Sequence, residues 1–288
     1  MRREVDPSLN RRKLRIALRR AREGAGLSRE DAAGQVDWSV SKLNRIETGT
    51  VSVALTDLRA LVQLYRLEDP ETVSDLENAA RNSKGQSWWA PFSGLSAPRF
   101  YEYLGFETAA SSLRTYHPVV IPGLLHTEEY ADALGAPEMP DAALRRKIVE
   151  FRTARQERVF DEETGVDKLH FVVDEAALRR RIGEPDVMRR QLQHLKNMAE
   201  HPRVTLQVLP FSAGALLSTQ TAFILLSFKD EEDLIYLEFS QASSIATRDN
   251  FELVANFQDS FEQLRNLAYS ENQALDLIDD AKEAFSVD

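Results

Sequence analysis

One stretch, "LSREDAAGQVDWSVSKLNRIETG" (residues 27–49), constrains this chain more than any other. Two short apolar-patterned segments flank a break at Gln35-Val36-Asp37-Trp38, and each opens on a serine. A serine before an apolar-periodic run is a helix N-cap, because its hydroxyl accepts from an otherwise orphaned backbone N–H. Ser28 and Asp31 form a capping-box-like pair, and Ser39 caps the run that follows. The second of these helices is expected to end at Thr48, with Gly49 behind it. The break between them is too short for anything but a tight helical corner.

The neighbours continue the pattern. Leu14, Ala17, Leu18 and Ala21 stand at i, i+3, i+4 and i+7, which predicts an amphipathic helix closed by Gly24 and Gly26. Thr56 and Asp57 predict the start of a fourth helix, with Leu58, Leu61, Val62 and Tyr65 as its apolar stripe. Asp69-Pro70 opens a fifth, since proline is tolerated at the first helical position. Five short helices thus fill the first 80 or so residues. Charge separates this region from the rest. Residues 1–66 carry 14 Lys+Arg against 8 Asp+Glu, whereas the remaining residues carry 22 against 38. The first segment can approach a polyanion that the second would repel.

A helix pair that enters a DNA groove makes demands on its sequence. The two helices must approach closely, and Ala33 is small enough to allow it. The turn needs a residue that tolerates left-handed backbone, a role Asp37 can fill. The reading helix needs an inner apolar stripe, supplied by Leu43 and Ile46, and an outer face, supplied by Val40, Ser41, Asn44 and Arg45. Trp38 reads as a core plug. In "LRIALRRAREGAGLSREDAA" and "SVSKLNRIETG", residues 9–66 resemble the Cro/lambda-repressor-like, or xenobiotic-response-element, helix-turn-helix family. The resemblance implies base contacts from Val40, Ser41, Asn44 and Arg45, with Arg45 foremost. It implies phosphate contacts from Arg29, joined here by Lys42 and Arg19, and a structural pair of Arg22 with Glu47. It also implies a homodimer on a double-stranded DNA operator, because one such unit reads few bases. Three positions depart from the family pattern: Asp37 replaces the turn glycine, Gly34 lies inside the second helix, and Val40 is an unusual base-facing residue.

Residues 82–99, "NSKGQSWWAPFSGLSAPR", break the helical pattern with Gly, Pro and Ser and predict a linker between domains at 9–81 and 100–283. Trp88, Trp89 and Phe92 predict that it is pinned to its neighbours rather than free. Beyond it, helical patterns at 99–113, 123–134, 141–160, 184–200 and 251–283 alternate with strand-like runs at 169–174, 204–210, 221–228 and 233–239. Strand, helix and strand from 169 to 210 form a βαβ pattern, hence a small, partly parallel sheet. The expected fold class is α+β: an all-α five-helix domain followed by a mixed α/β domain.

Chemistry in the second domain has only two candidates. His126 and Glu129 stand at i, i+3, a spacing that can present two metal ligands, though a satisfied surface pair reads the same way. Asp174 and Glu175 follow a strand, where catalytic carboxylates occur, yet a helix N-cap followed by an N-terminal acid is the plainer reading. The basic run "RRRIGEPDVMRRQLQHLKNMAEHP" is either a solvated face or a grip for an acidic partner. No Gly-rich phosphate loop, G-x-S-x-G or H-E-x-x-H occurs, and the absence of cysteine excludes disulfides and thiolate chemistry. The segments "YHPVVIPGLLHTEEYADAL", "LHFVVDEAALRRRIGEPDVMRRQLQHL" and "VTLQVLPFSAG" look like the C-terminal domain of unknown function found in a family of actinobacterial regulators. Residues typical of that family include Tyr116, Pro122, Gly123, Leu124, Thr127, Tyr130, Glu175, Gln191, Pro210 and Gly214. The resemblance suggests a small acidic protein as a partner. The expectation is a cytoplasmic DNA-binding transcriptional regulator with no catalytic residues, metal, cofactor or membrane segment. An antitoxin-like interaction module with autoregulatory DNA binding is the alternative.

Overall fold

The computed structural model describes residues 7–47, 51–214, 220–229, 232–238, 245–246 and 251–286. The chain divides into two compact units, Met1–Ala90 and Pro91–Asp288.

The first unit holds α1 (Ser8–Gly24), α2 (Arg29–Gln35), α3 (Val40–Glu47), α4 (Leu55–Leu64) and α5 (Pro70–Asn82). The caps work as the residues dictate. Ser28 Oγ accepts from Asp31 N at 3.0 Å, Ser39 Oγ from Lys42 N at 3.2 Å, and an Asp69 carboxylate oxygen from Thr72 N at 2.8 Å. Asp37 adopts φ 56°, the left-handed conformation that the corner between α2 and α3 requires. The fourth helix begins one residue earlier than expected. Ala54 stands at its N-cap with no side-chain hydrogen bond, and Thr56 lies within the first turn. The expected end of the third helix at Thr48-Gly49 lies outside the described residues; α3 runs to Glu47. Leu14, Leu18, Ala32, Ala33, Leu43, Ile46, Leu58 and Leu61 share one core, and Trp38 packs against it. Each buried leucine or isoleucine there contributes about 1.5–3 kcal/mol by removal from water.

The second unit is α+β. It holds α6 (Pro98–Glu107), β1 (Ser112–His117), α7 (Glu128–Gly135), α8 (Ala142–Val159), β2 (Lys168–Asp174), α9 (Glu175–Arg179), α10 (Pro185–Ala199) and β3 (Val204–Leu209). Then follow β4 (Ala222–Ser227), β5 (Leu234–Glu238), β6 (Ile245–Ala246), α11 (Phe251–Leu267) and α12 (Glu271–Ala284). The sheet order is β3-β2-β1-β4-β5-β6. β1, β2 and β3 run parallel, as two successive βαβ crossovers require, and β4, β5 and β6 continue antiparallel.

Three expectations need correction here. The helical pattern at 99–113 breaks at Glu107, and Ser112–His117 becomes β1, between β2 and β4. The pattern at 123–134 is a 3-10 turn (Gly123–Leu125) followed by α7, capped by Thr127 Oγ1 accepting from Tyr130 N at 3.2 Å. The pattern at 251–283 is two helices, broken where Tyr269 N donates to the Val208 carbonyl at 2.8 Å. The expected strand at 233–239 is described as Leu234–Glu238, and Phe239 lies outside the described residues.

The two faces of the sheet differ. Tyr116, Val172, Phe223, Leu225 and Ile235 form one face and pack with Val254, Phe261 and Leu264 of α11. Leu113, Thr115, His117, Phe171, Ile224 and Tyr236 form the other, and they line a cavity there.

The stretch between the two helical patterns is tied down at both ends. The Arg11 guanidinium donates to the Ser83 and Gly85 carbonyls at 3.0 and 3.3 Å. Within the second unit, Tyr101 Oη accepts from Ser96 N and donates to the Phe92 carbonyl, and Phe92 stacks on Phe151 at 5.0 Å.

Candidate functional site

The first candidate site is the outer face of α3. Leu43, Ile46 and Glu47 are buried, whereas Val40, Ser41, Asn44 and Arg45 are exposed. That split follows from the helical period, since 40, 41, 44 and 45 lie on one side and 43 and 46–47 on the other. Val40 is 40% exposed, unusual for a valine at the start of a helix.

Behind α3, Glu47 is a hub. Its side chain is 0% exposed and accepts from Arg22 Nε at 2.6 Å and Nη2 at 3.2 Å, a bidentate pair. Arg22 Nη1 also donates to the Leu27 carbonyl at 2.7 Å, tying α1 to the entry of α2. The hydrogen bond to Glu47 raises the Arg22 pKa further, so the guanidinium is permanently charged. The sequence indicated this pair but missed a second partner: Arg29 Nε donates to Glu47 Oε2, the oxygen that Arg22 Nη2 also reaches, at 2.8 Å. Arg29 is 39% exposed, so its guanidinium is oriented from behind while its outer edge meets solvent. Nearby, the Tyr65 hydroxyl is buried without a hydrogen-bond partner, and burial, reinforced by Glu47, pushes its pKa up to about 12.

The other two expected phosphate contacts differ in setting. Arg19 is exposed and pairs with Glu23 at 2.9 Å one helical turn on. Lys42 turns inward: its ammonium lies 3.0 Å from Asp57 and 3.7 Å over the Trp38 ring. Trp38 and Asp57 therefore hold Lys42 in place, a constraint that the spacing of the sequence did not reveal.

The second candidate site is the cavity on the sheet, about 490 Å³ in volume. Phe100 of α6, Leu134 of α7, the sheet residues Leu113, Phe171, Ile224 and Tyr236, and the loop residues Val120, Ile121 and Leu124 make most of it apolar. Its polar wall is Thr115, His117, His126, Arg152 and Arg155, together with Gln220 and Thr221. Arg155 is fixed by a buried network. It donates to both oxygens of Glu107 at 2.7 Å and to Tyr103 Oη at 3.1 Å, while Tyr103 hydrogen-bonds Glu107 and stacks on Tyr236 at 4.2 Å. Burial pushes the Tyr103 hydroxyl well above its usual pKa, so it remains a donor. The sequence reading passed over Arg155, yet a signal was there. In α8 the buried positions are Phe151, Arg155 and Val159, so an arginine stands where the i, i+4 stripe calls for a leucine.

The loop from Pro118 to Thr127 forms one rim, and polar side chains hold its backbone. Gln156 Nε2 donates to the Gly123 and His126 carbonyls at 3.0 and 2.9 Å. The fully buried Gln191 accepts from Thr127 N at 2.7 Å and donates to the Leu125 carbonyl at 2.6 Å. Tyr130 Oη accepts from Ile121 N at 3.4 Å. Of the residues typical of the second resemblance, Pro122, Gly123 and Leu124 line the cavity, and Thr127, Tyr130 and Gln191 hold the loop.

The candidate pairs singled out for chemistry do not converge. His126 precedes α7 instead of lying on it and is buried, with Nε2 donating to the Ile121 carbonyl at 2.6 Å. Glu129 is exposed and pairs with Arg190 at 2.6 Å, so the two do not share a helix face. Among the described residues, no cluster of three or more His, Asp or Glu could hold a metal. Asp174 caps α9 by accepting from Ala176 N at 2.9 Å, and it also accepts from Tyr116 Oη at 3.0 Å. Glu175 accepts from Arg179 Nε at 2.7 Å and from Phe211 N at 2.9 Å, tying α9 to the turn after β3. Along the basic run, Arg181, Arg189, Arg190 and Lys196 pair with Glu184, Asp186, Glu129 and Asp279.

Comparison with known families places these features. Residues 13–80 match a family described as a helix-turn-helix domain, which suggests a DNA-binding regulator rather than an enzyme. No helix among the described residues is long and apolar enough to cross a membrane. Comparison with curated proteins and with solved structures finds no match. Residues 100–280 match the family described as a domain of unknown function (DUF5753), and because that match spans more than half of its residues, the chain belongs to the DUF5753 family.

Proposed function

We propose that the chain is a transcriptional regulator that reads a double-stranded DNA operator as a homodimer, through the outer face of α3. The observation that carries this reading is the split of α3, with Leu43 and Ile46 buried and Val40, Ser41, Asn44 and Arg45 turned outward. Arg45 reads a base edge, guanine being the geometry best suited to its fork, and the Val40 methyls suit a thymine methyl. Arg29, oriented by Glu47, and Arg19 hold phosphates, and Lys42 joins them on exchanging Asp57 for a phosphate oxygen. The likeness of "SVSKLNRIETG" to Cro-like recognition helices supports the same assignment. Two copies supply the reading length that one helix lacks. The C-terminal unit binds a small ligand or a small protein partner. Ion pairing along α10 argues against that helix as the grip for an acidic partner.

The test is selection of binding sites from random duplexes, followed by fluorescence anisotropy across a salt series. Arg45→Ala should weaken the selected site by about 1–3 kcal/mol while sparing unrelated DNA. Arg29→Ala should weaken both equally and reduce the salt slope by about one. Failure to enrich any sequence, or an Arg45→Ala protein with unchanged discrimination, would reject α3 as the reader.

A further inference from the structure

The cavity of the second unit carries a charge pattern that its apolar walls do not explain. Among the described residues its lining includes two guanidiniums and two imidazoles but no carboxylate. Both guanidiniums converge on Gly123: a Cβ there would lie 2.5 Å from Arg152 Nη1 and 3.4 Å from Arg155 Nη1. Glycine is thus what lets two cationic groups close on one point of the rim. Glu107 fixes Arg155 from behind and matches its charge. Arg152 brings a second guanidinium to the same point of the rim. His126, 4% exposed, has its pKa pushed well below the usual imidazole value by burial and then by the Arg152 guanidinium. Its Nε2–H is committed to the Ile121 carbonyl, and its Nδ1 lone pair is buried without a hydrogen-bond partner. The cavity also lies at the carboxyl end of β1, where open sheets with parallel strands take their ligands. Its volume falls within the range of small-molecule sites, roughly 300–1,000 Å³.

We propose that this cavity binds a small organic acid, with its carboxylate against Arg152 and Arg155 over Gly123 and its apolar body between the sheet and α6. A hydroxyl or N–H on that body donates a further hydrogen bond to the Nδ1 lone pair of His126. This proposal rests on the reading of the C-terminal unit as the ligand-binding half of a regulator. Its test uses no DNA, so its failure and that of operator reading are distinguishable.

The experiment is calorimetric titration of the full chain with benzoate, octanoate and 3-(4-hydroxyphenyl)propanoate, each against its primary amide and the amine of the same body. We expect at least one acid to bind, its amide roughly tenfold or more weaker, and its amine not at all. Arg152→Gln should reduce the preference of acid over amide by roughly tenfold. The wild-type charge series decides the matter even if that variant fails to fold. Absence of binding by every acid at millimolar concentration, an amide or amine equal to its acid, or an undiminished acid preference in Arg152→Gln would overturn the proposal.

Discussion

Removing the Glu47 carboxylate is the sharpest perturbation available in the first unit. In Glu47→Ala, Arg22 is left as a charge only 8% exposed, with the Leu27 carbonyl as an acceptor and a half-exposed Glu23 3.5 Å away. Breaking one side of a buried ion pair costs about 3–5 kcal/mol, because the remaining charge stays desolvated. The Arg29 pair is partly exposed and adds at most about 1 kcal/mol. The expected loss is therefore about 3–6 kcal/mol, a large share of the 5–15 kcal/mol typical of a whole domain. Tryptophan fluorescence reports the right unit: Trp38, Trp88 and Trp89 are all the tryptophans in the chain, and all precede the division at Ala90. With a urea dependence of roughly 1–1.5 kcal/mol per molar, the fluorescence midpoint should fall by at least about 2 M. The double variant Arg22→Met/Glu47→Leu removes both charges and should recover most of the loss, since an apolar replacement of a buried pair is often neutral. A Glu47→Ala midpoint within about 0.5 M of wild type, or a double variant as unstable as the single, would refute the reasoning.

Further expectations concern other sites. Gly34→Ala should stabilise the first unit by up to about 1 kcal/mol in the same fluorescence assay, because a Cβ there meets nothing within 4 Å and helix propensity rises. Tyr65→Phe should be neutral or stabilising by up to about 1 kcal/mol, since it deletes a buried hydroxyl that has no partner; a clear destabilisation would reveal a hidden acceptor. In the second unit, burial lowers the pKa of His126, His170 and His194 below the unfolded value of about 6.5. Below that pH the unfolded chain takes up protons that the folded unit refuses, so stability is full above pH 6.5 and declines as pH falls toward the folded values. The slope is at most about 1.4 kcal/mol per pH unit for each histidine, and far-UV thermal melts at pH 7.5 and 5.5 would measure it. His126→Gln should flatten that profile.

The legibility of the chain followed the range of the forces that shape it. The caps at Ser28, Ser39 and Asp69 act over three residues, as does the turn demand at Asp37, so local reading found them. The start of α4 escaped because Ala54 caps it without a side chain to announce the fact. β1 escaped for a different reason. Its alternate residues Thr115 and His117 face the cavity, so "SLRTYH" lacks the apolar alternation of a half-buried strand. Leu113, the second residue of β1, also continues the helical register of α6. The α3 face was readable because exposure there is set by helical period alone. The Arg152–Arg155–Gly123 cluster was not, because residues some 30 apart meet only once the loop folds back on α8.

The placement of β1 sets an order of events during synthesis. Its partner on one side, β2, lies 56 residues downstream, as in Ser112 with Lys168, and its partner on the other, β4, lies 115 downstream, as in Ser112 with Ser227. A strand between such distant neighbours waits for them, because loop closure must precede the contacts that reward it. At about 5–20 residues per second, the ribosome needs roughly 7–30 s to pass from residue 90 to residue 227. During that interval the helical unit can already be complete, while the side of β1 that pairs with β4 stays open on the nascent chain. Chaperone dependence and misassembly should therefore be properties of the C-terminal unit, and a truncated translation product would carry the helix-turn-helix unit without the part proposed to bind a ligand.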